Sequence, residues 1–375
     1  MKTYLFICMF IACLVIGCSE EGVGDKIDES PSLLADYTVL LHKDGLMKTA
    51  LLNADTEGII VDPEAGVFEM LPVPQLFYRN GSRMGFYIPE EDCSANFTVH
   101  DFSDGTAVHS SVFAEDSNCD RDVKSLAFSG NKALLAYVVP KDNKENDYII
   151  RILDLLKSPS TYTDVSLAKE PIQLLVSNNK AFILCLDTDI TNKYALVAIN
   201  IDSGAITHEV GLGTDVLKIS QDGMGNILVS YPNLHSLIDG NTMILGITTN
   251  YLLGKEPKFG YAKSEYFGNQ AMYYPMESGS KSSYPHIAAV YDFRENMSVL
   301  YIYENFLSLE ERNLKYEIED TTMVSYDAKN NLILIGYRKK GGSGKGGLMR
   351  IKPIPDPKFL DNVDLDGIPV ELFQN

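Results

Sequence analysis

Histidines, cysteines and a surplus of carboxylates are the side chains of this sequence that could do more than fold. The six histidines, His42, His100, His109, His208, His235 and His286, are scattered along the chain. None belongs to an HExxH pair, and no GxSxG elbow or glycine-rich dinucleotide loop follows a strand-like run. Linear signatures of metalloprotease, serine hydrolase or dehydrogenase chemistry are therefore missing. Catalysis would need a radial site built from many distant segments. A second cluster is aromatic: Tyr261, Tyr266, Tyr273, Tyr274, Tyr284 and Tyr291 gather around Met272, Met276 and His286. Tyrosines on a loop are low-entropy binding anchors that tolerate wet and dry surroundings. The stretch MYYPMESGSKSSYPH (272–286) reads as an insertion, which makes Tyr273, Tyr274, Tyr284 and His286 the candidate ligand-binding residues, with plain core packing as the competing role.

Cys93 and Cys119 lie in the polar segments EEDCSAN and EDSNCDRD, whereas Cys185 sits inside the apolar run FILCL. No CxxC spacing or histidine-rich partner suggests zinc, so a Cys93–Cys119 disulfide and a buried free thiol at Cys185 are expected. The carboxylates Asp364 and Asp366 belong to a DxDxDG-like run, NVDLDGIP (362–369), but the twelfth position is Phe373 where a calcium loop needs a bidentate Glu. A strand followed by a turn is the expectation. No cofactor is predicted, Ca2+ being the one cation these carboxylates could take. The basic run RKKGGSGKGG (338–347) lacks both the leading Gly and the Ser/Thr of a phosphate loop and reads as a glycine-rich hairpin.

The elements that would position these residues repeat. A polar turn with Asn followed by an apolar run recurs as SGNK before ALLAYVV (from 129), SNNK before AFILCL (from 177), DGMGN before ILVSY (from 222) and KNN before LILIGY (from 329), with a looser copy, RNGS before RMGFYI, from 79. Each is preceded by another strand-like run, and a third and a more polar fourth follow in most units. Runs of five to seven Ile, Val, Leu, Tyr and Phe bounded by Asn/Gly turns are hairpin strands. Their continuous apolar character suits strands covered on both faces. First strands start near Leu76, Val123, Ile172 and Val216.

Four antiparallel strands per unit, repeated every 40–50 residues, point to an all-β protein, a β-propeller. The unit PIQLLVSNNKAFILCLDTDITNKYALVAINIDSGAITHEVGLGTD (from 171) resembles one blade of the YVTN-type and WD-repeat-like propellers, without the Trp and Gly-His signature of true WD repeats. Dividing 37–375 into units favours seven blades over six or eight. Ile368–Phe373 or Tyr37–Leu41 is expected to complete the first unit, which is short of a strand. In that topology Cys93 and Cys119 share one face, as do Glu90, Glu91, Asp92, Glu115, Asp116, Asp120, Asp122, Asp142, Glu145, Asp147, Asp187 and Asp189, which form an acidic rim. The 272–286 stretch would line the channel mouth.

Upstream, Lys2 precedes an apolar run from Tyr4 to Ile16. As a helix that run reaches about 20 Å, short of the ~30 Å hydrocarbon core. It reads as a signal peptide. It ends Leu14-Val15-Ile16-Gly17-Cys18, which resembles a bacterial lipobox with Val15 in place of the usual Leu, and Ser19-Glu20-Glu21 is similar to the export tag of Bacteroidota surface lipoproteins. The resemblance implies a signal peptide over 1–17, an acylated Cys18 opening a tether over 18–36, and a domain over 37–375 anchored at the outer membrane, on its surface. Propellers of such lipoproteins imply an accessory role in nutrient or siderophore uptake.

Composition agrees with a folded, exported domain. The 375 residues are 45% hydrophobic and 22% charged, with 51 acidic against 32 basic residues and a net charge of −19. That balance disfavours nucleic acid, which is held by Lys and Arg. The expected protein is a monomeric binding module for a small molecule, a glycan or an envelope protein. The alternatives are a propeller enzyme of lyase, lactonase or quinoprotein type, or a structural adaptor.

Overall fold

A strand that is apolar on both faces needs a neighbour on each, and sheets stacked face to face in a closed ring supply one for every strand. The computed structural model describes residues 36–375 except 56, 64, 65, 67, 116–118, 142–145, 158–160, 191 and 343. Cys18 and the whole of 1–35 lie outside the described residues. Seven antiparallel sheets make up the described chain, six of them with their strands in sequence order from the axis outward. Blade 2 is Leu76–Asn80, Arg83–Pro89, Ala95–Asp101 and Ala107–Val112; blade 3 is Asp122–Ser129, Lys132–Val139, Asp147–Asp154 and Thr161–Leu167. Blade 4 is Glu170–Ser177, Lys180–Asp187, Lys193–Asn200 and Ile206–Thr214; blade 5 is Lys218–Gln221, Ile227–Ser230, Leu234–Ile238 and Leu245–Asn250. Blade 6 is Tyr266–Gly268, Ala271–Glu277, His286–Asp292 and Met297–Tyr301; blade 7 is Ile318–Asp327, Leu332–Lys339, Gly346–Lys352 and Lys358–Leu365.

Blade 1 departs from that order. Its innermost strand is the C-terminal Ile368–Gln374, paired with Tyr37–Lys43, then Leu46–Ala54, then an interrupted outer edge of Ile59–Val61 and Leu71–Pro72. Tyr37 lies opposite Gln374 and Val39 opposite Leu372, so both expected completing segments take part and the two ends of the chain close the ring together. The fold is a seven-bladed β-propeller.

Each of the seven gaps between blades holds its own apolar core. Phe97, Phe128 and Tyr137 fill the gap between blades 2 and 3, and Leu174, Ile183 and Ile150 that between blades 3 and 4. Further clusters fill the gaps between blades 4 and 5, 5 and 6, 6 and 7, 7 and 1, and 1 and 2. The second strands are accordingly buried nearly end to end, while the outermost strand of blade 4 is exposed over most of its length. Tight first hairpins make this stacking possible. At Gly130 (φ 54°) and at Asn178 and Asn179 (φ 48° and 58°) the chain enters the left-handed region that Gly and Asn tolerate.

The inner strands have a free hydrogen-bonding edge toward the axis, and polar side chains stitch blade to blade around it. Gln173 of blade 4 donates to the Ile219 carbonyl of blade 5 at 2.8 Å and accepts from the Ile219 N–H at 2.9 Å. Asn80 donates to the Phe128 carbonyl, Ser125 accepts from the Leu174 N–H, and Gln374 donates to the Tyr326 carbonyl. Lys218 donates to the Ala262 carbonyl, Thr321 donates to the His286 carbonyl, and Arg79 pairs with Glu371. These contacts cover all seven interfaces. They satisfy strand edges that would otherwise be costly to bury.

Candidate functional site

The two blade-2 and blade-3 cysteines meet. Cys93 lies in the loop between the second and third strands of blade 2, and Cys119 in the connection to blade 3. The two are joined as a disulfide. Arg121 donates to the Cys93 carbonyl and lies over the Phe113 ring, tying the bridge to the inter-blade core. Cys185 is a free buried thiol, pushed up to about 12 by burial and hence protonated and inert. The disulfide closes a sequence separation of 26 residues, which in the chain-entropy picture is worth about 3.5 kcal/mol. Urea unfolding with and without a reductant should show a loss of that size, and Cys119→Ser should reproduce it without the reductant.

The four candidate ligand residues are placed differently from the expectation. The stretch 272–286 is no inserted loop: Ala271–Glu277 is the second strand of blade 6, and only the turn after it is irregular. Tyr273 stacks on Tyr326 of blade 7 at 4.8 Å, and Tyr274 is fully buried and donates to the Pro257 carbonyl. Tyr284 packs edge-on against Tyr303 at 5.1 Å. His286 is half-buried, with Nδ1 2.9 Å from Asp320 of blade 7. Tyr273, Tyr284 and His286 serve the interface between blades 6 and 7 and Tyr274 that between blades 5 and 6, and none of the four lines the axial cavity described below. The residues added to the sixth unit lie instead in the connection before blade 7, which holds two single-turn helices, Tyr303–Asn305 and Glu311–Lys315. Asp364 is paired with Lys339, and Asp366 with Lys43 and Lys48. The described acids of the rim fall in loops or at the strand ends beside them, on one face, and most are exposed.

A cavity of about 790 Å³ lies on the ring axis, lined by inner strands from every blade except blade 3. Blade 3 is masked by Tyr78 of blade 2. This ring lies edge-on to Phe128 at 5.8 Å, and its hydroxyl accepts from the Val176 N–H of blade 4. Burial pushes the Tyr78 phenol up to about 12, so it stays neutral. The neighbouring Arg79 turns the other way. Its guanidinium pairs with Glu371 of blade 1 and lies 4.5 Å from the Phe373 ring and 5.2 Å from the Tyr266 ring of blade 6.

Beside it Lys218 of blade 5 pairs with Glu265 at 2.6 Å, and Ser220 donates to the same carboxylate. Lys263 adds an exposed ammonium to the lining. Ser325 of blade 7 also lines the cavity; it is 1% exposed, and its hydroxyl has no hydrogen-bond partner among the described residues. No histidine lines the cavity, and no group of three metal-ligating side chains is present among the described residues. These lining residues come from positions hundreds of residues apart, so no linear motif announces them. The one available signal was a charged or polar residue within a first-strand segment of the repeat.

The chain matches no protein-family model and no curated protein sequence. Among solved structures it is similar to AztD from Citrobacter koseri, at 10% identity over 90% of this chain and 96% of that one, with a TM-score of 0.48. It is also similar to the uncharacterized protein lmo1340 from Listeria monocytogenes EGD-e, at 13% identity over 84% and 88%, TM-score 0.48. The β-propeller domain of the Trilobed protease from Pyrococcus furiosus aligns at 11% identity over 88% and 99%, TM-score 0.47. Proteins of such different kinds share little beyond the architecture, and none lends this chain a ligand or a reaction.

Proposed function

We propose that this propeller is a non-catalytic binding module whose ligand, a small molecule or a glycan fragment, seats in the axial cavity. The observation that carries this reading is the cavity itself. Its volume falls in the range of small-molecule sites, and its walls combine aromatic faces with a few fixed polar groups. Two of the three carboxylates that line it, Glu371 and Glu265, are engaged by cations, an arrangement suited to orienting a ligand. Within the same proposal the protein is exported, carries lipid on Cys18 and acts at the outer membrane beside a nutrient transporter. The disulfide supports an oxidising compartment. Native mass spectrometry of the protein exposed to a small-molecule extract should show a mass shift that Ser264→Trp, placed at the cavity wall, abolishes. An undiminished shift in that variant would put the ligand elsewhere.

A further inference from the structure

We infer that the axial cavity selects a ligand bearing an oxyanion, a carboxylate or a phosphate, attached to an apolar or aromatic body, and that Arg79 is the residue that reads the anion. This inference rests on the reading of the cavity as the binding site. Charge is its first support. The chain as a whole carries −19, yet the cavity presents three cations, Arg79, Lys218 and Lys263. Against them stand Glu371, Glu265 and Asp222, and Asp222 is occupied by its own turn, accepting from the Met224 and Asn226 N–H groups. The axis is thus the place where an acidic protein stops repelling anions.

Geometry is the second support. Arg79 Nε donates to the Gly81 carbonyl and Nη1 to Glu371, while Nη2 has no hydrogen bond among the described residues. The Phe373 and Tyr266 rings near the guanidinium restrain its plane, so the remaining N–H groups are held ready before a ligand arrives. A fixed planar fork suits an oxyanion better than a mobile ammonium does.

The third support is Ser325. A buried hydroxyl without a partner is costly unless something supplies one, and this one borders the same cavity. Around these polar groups Phe77, Phe267 and Leu175 offer apolar surface to the rest of the ligand.

Binding of phenylacetate, phenyl phosphate and the neutral phenylacetamide to the full chain tests the inference by ligand-observed NMR titration. At least one anion should bind roughly tenfold more tightly than the amide, and the preferred anion identifies the oxyanion. Arg79→Lys, which keeps the charge and loses the fork, should weaken that anion about tenfold. Ser325→Ala should weaken it several-fold while leaving the unliganded protein as stable as before or more so, a combination that a merely structural serine would not produce. Equal affinity for the amide, an unchanged affinity in Arg79→Lys, or no binding of either anion would overturn the inference. An extract-derived neutral ligand blocked by Ser264→Trp would leave the site reading standing and remove only the anion.

Discussion

Deleting Ile368–Asn375 should abolish the cooperative unfolding transition of the whole ring, although the segment is a small part of the chain. This strand is the innermost element of blade 1, and its pairing with Tyr37–Lys43 joins the C-terminal end of the chain to the N-terminal strand. Leu372 and Phe373 are fully buried, and Phe373 stacks on Phe102 at 4.0 Å with nearly parallel planes. Burying two such side chains is worth about 1.5–3 kcal/mol each by transfer alone, before the cavity left behind is counted. The deletion also removes Glu371 from the half-buried Arg79, takes the Gln374 donor from the Tyr326 carbonyl and leaves Tyr37–Lys43 as an unpaired inner edge.

Summed against a typical domain stability of about 5–15 kcal/mol, these losses exceed what a marginal fold retains. Close packing adds to the demand. A Cβ at Gly336 of blade 7 would meet Met323 Cγ at 2.5 Å and Pro369 Cβ at 2.8 Å, so the closing strand is seated against blade 7 without slack. Circular dichroism in a urea series should show no sigmoidal transition for the truncated chain. A transition at the full-length midpoint would mean that the ring is held shut elsewhere.

Acidification from pH 7 toward pH 4 should remove up to about 3 kcal/mol of stability through His235. The imidazole is 3% exposed, and Nδ1 lies 2.7 Å from the Tyr251 hydroxyl. Around it stand the rings of Tyr251, Phe259, Tyr291 and Phe293 from the 5–6 interface, and no carboxylate contacts it among the described residues. Burial therefore lowers its pKa from 6.5 to about 4. Because the folded pKa lies below the unfolded one, the unfolded chain takes up the proton first. The stabilisation is whole above pH 6.5 and is lost as the pH falls to about 4.

His100, buried against Phe68 and Phe102, is also lowered, chiefly by burial, and acts in the same direction. Depressed carboxylates lose their contribution only further down. At Asp327 burial works against ionisation, but hydrogen bonds from Tyr37 and Asn330 outweigh it. Urea midpoints measured between pH 7 and 4.5 should fall steadily in the parent protein and much less in His235→Leu. A parallel fall in both would assign the acid sensitivity to other groups.

Blades 2 to 5 were legible because hairpin chemistry and two-sided burial both leave marks on local sequence. Expected first strands near Leu76, Val123, Ile172 and Val216 begin at Leu76, Asp122, Glu170 and Lys218. The turn residues had to be Asn or Gly, and the strands after them had to be apolar throughout. Blade 6 was not readable in the same way. Its inner strand is only Tyr266–Gly268, and Pro275 within the second strand, followed by a Gly/Ser turn, disguises that strand as a loop. This disguise leaves the sequence unable to choose between ligand anchors and core packing for the tyrosines, and two-sided burial claims them. The axial site left no local mark, since Arg79, Lys218, Glu265, Ser325 and Glu371 are brought together only by ring closure. The disulfide was legible for the opposite reason: topology alone puts its two loops on one face.

The meeting of the chain ends also fixes on which face the described chain begins. Asp36 accepts from the Asn375 N–H, so the polypeptide enters the ring on the face that carries the first hairpin turns, opposite the carboxylate-rich loops. A ring hung from a lipid on Cys18, as proposed, would present its entry face toward the bilayer and its acidic loops toward the surroundings. Under that proposal anionic headgroups would repel the far face if it tipped over, so attachment point and charge would act together as a keel. Ligand exchange at the hairpin end of the axis would then take place in the space between protein and membrane, on the side where the proposed transporter would sit.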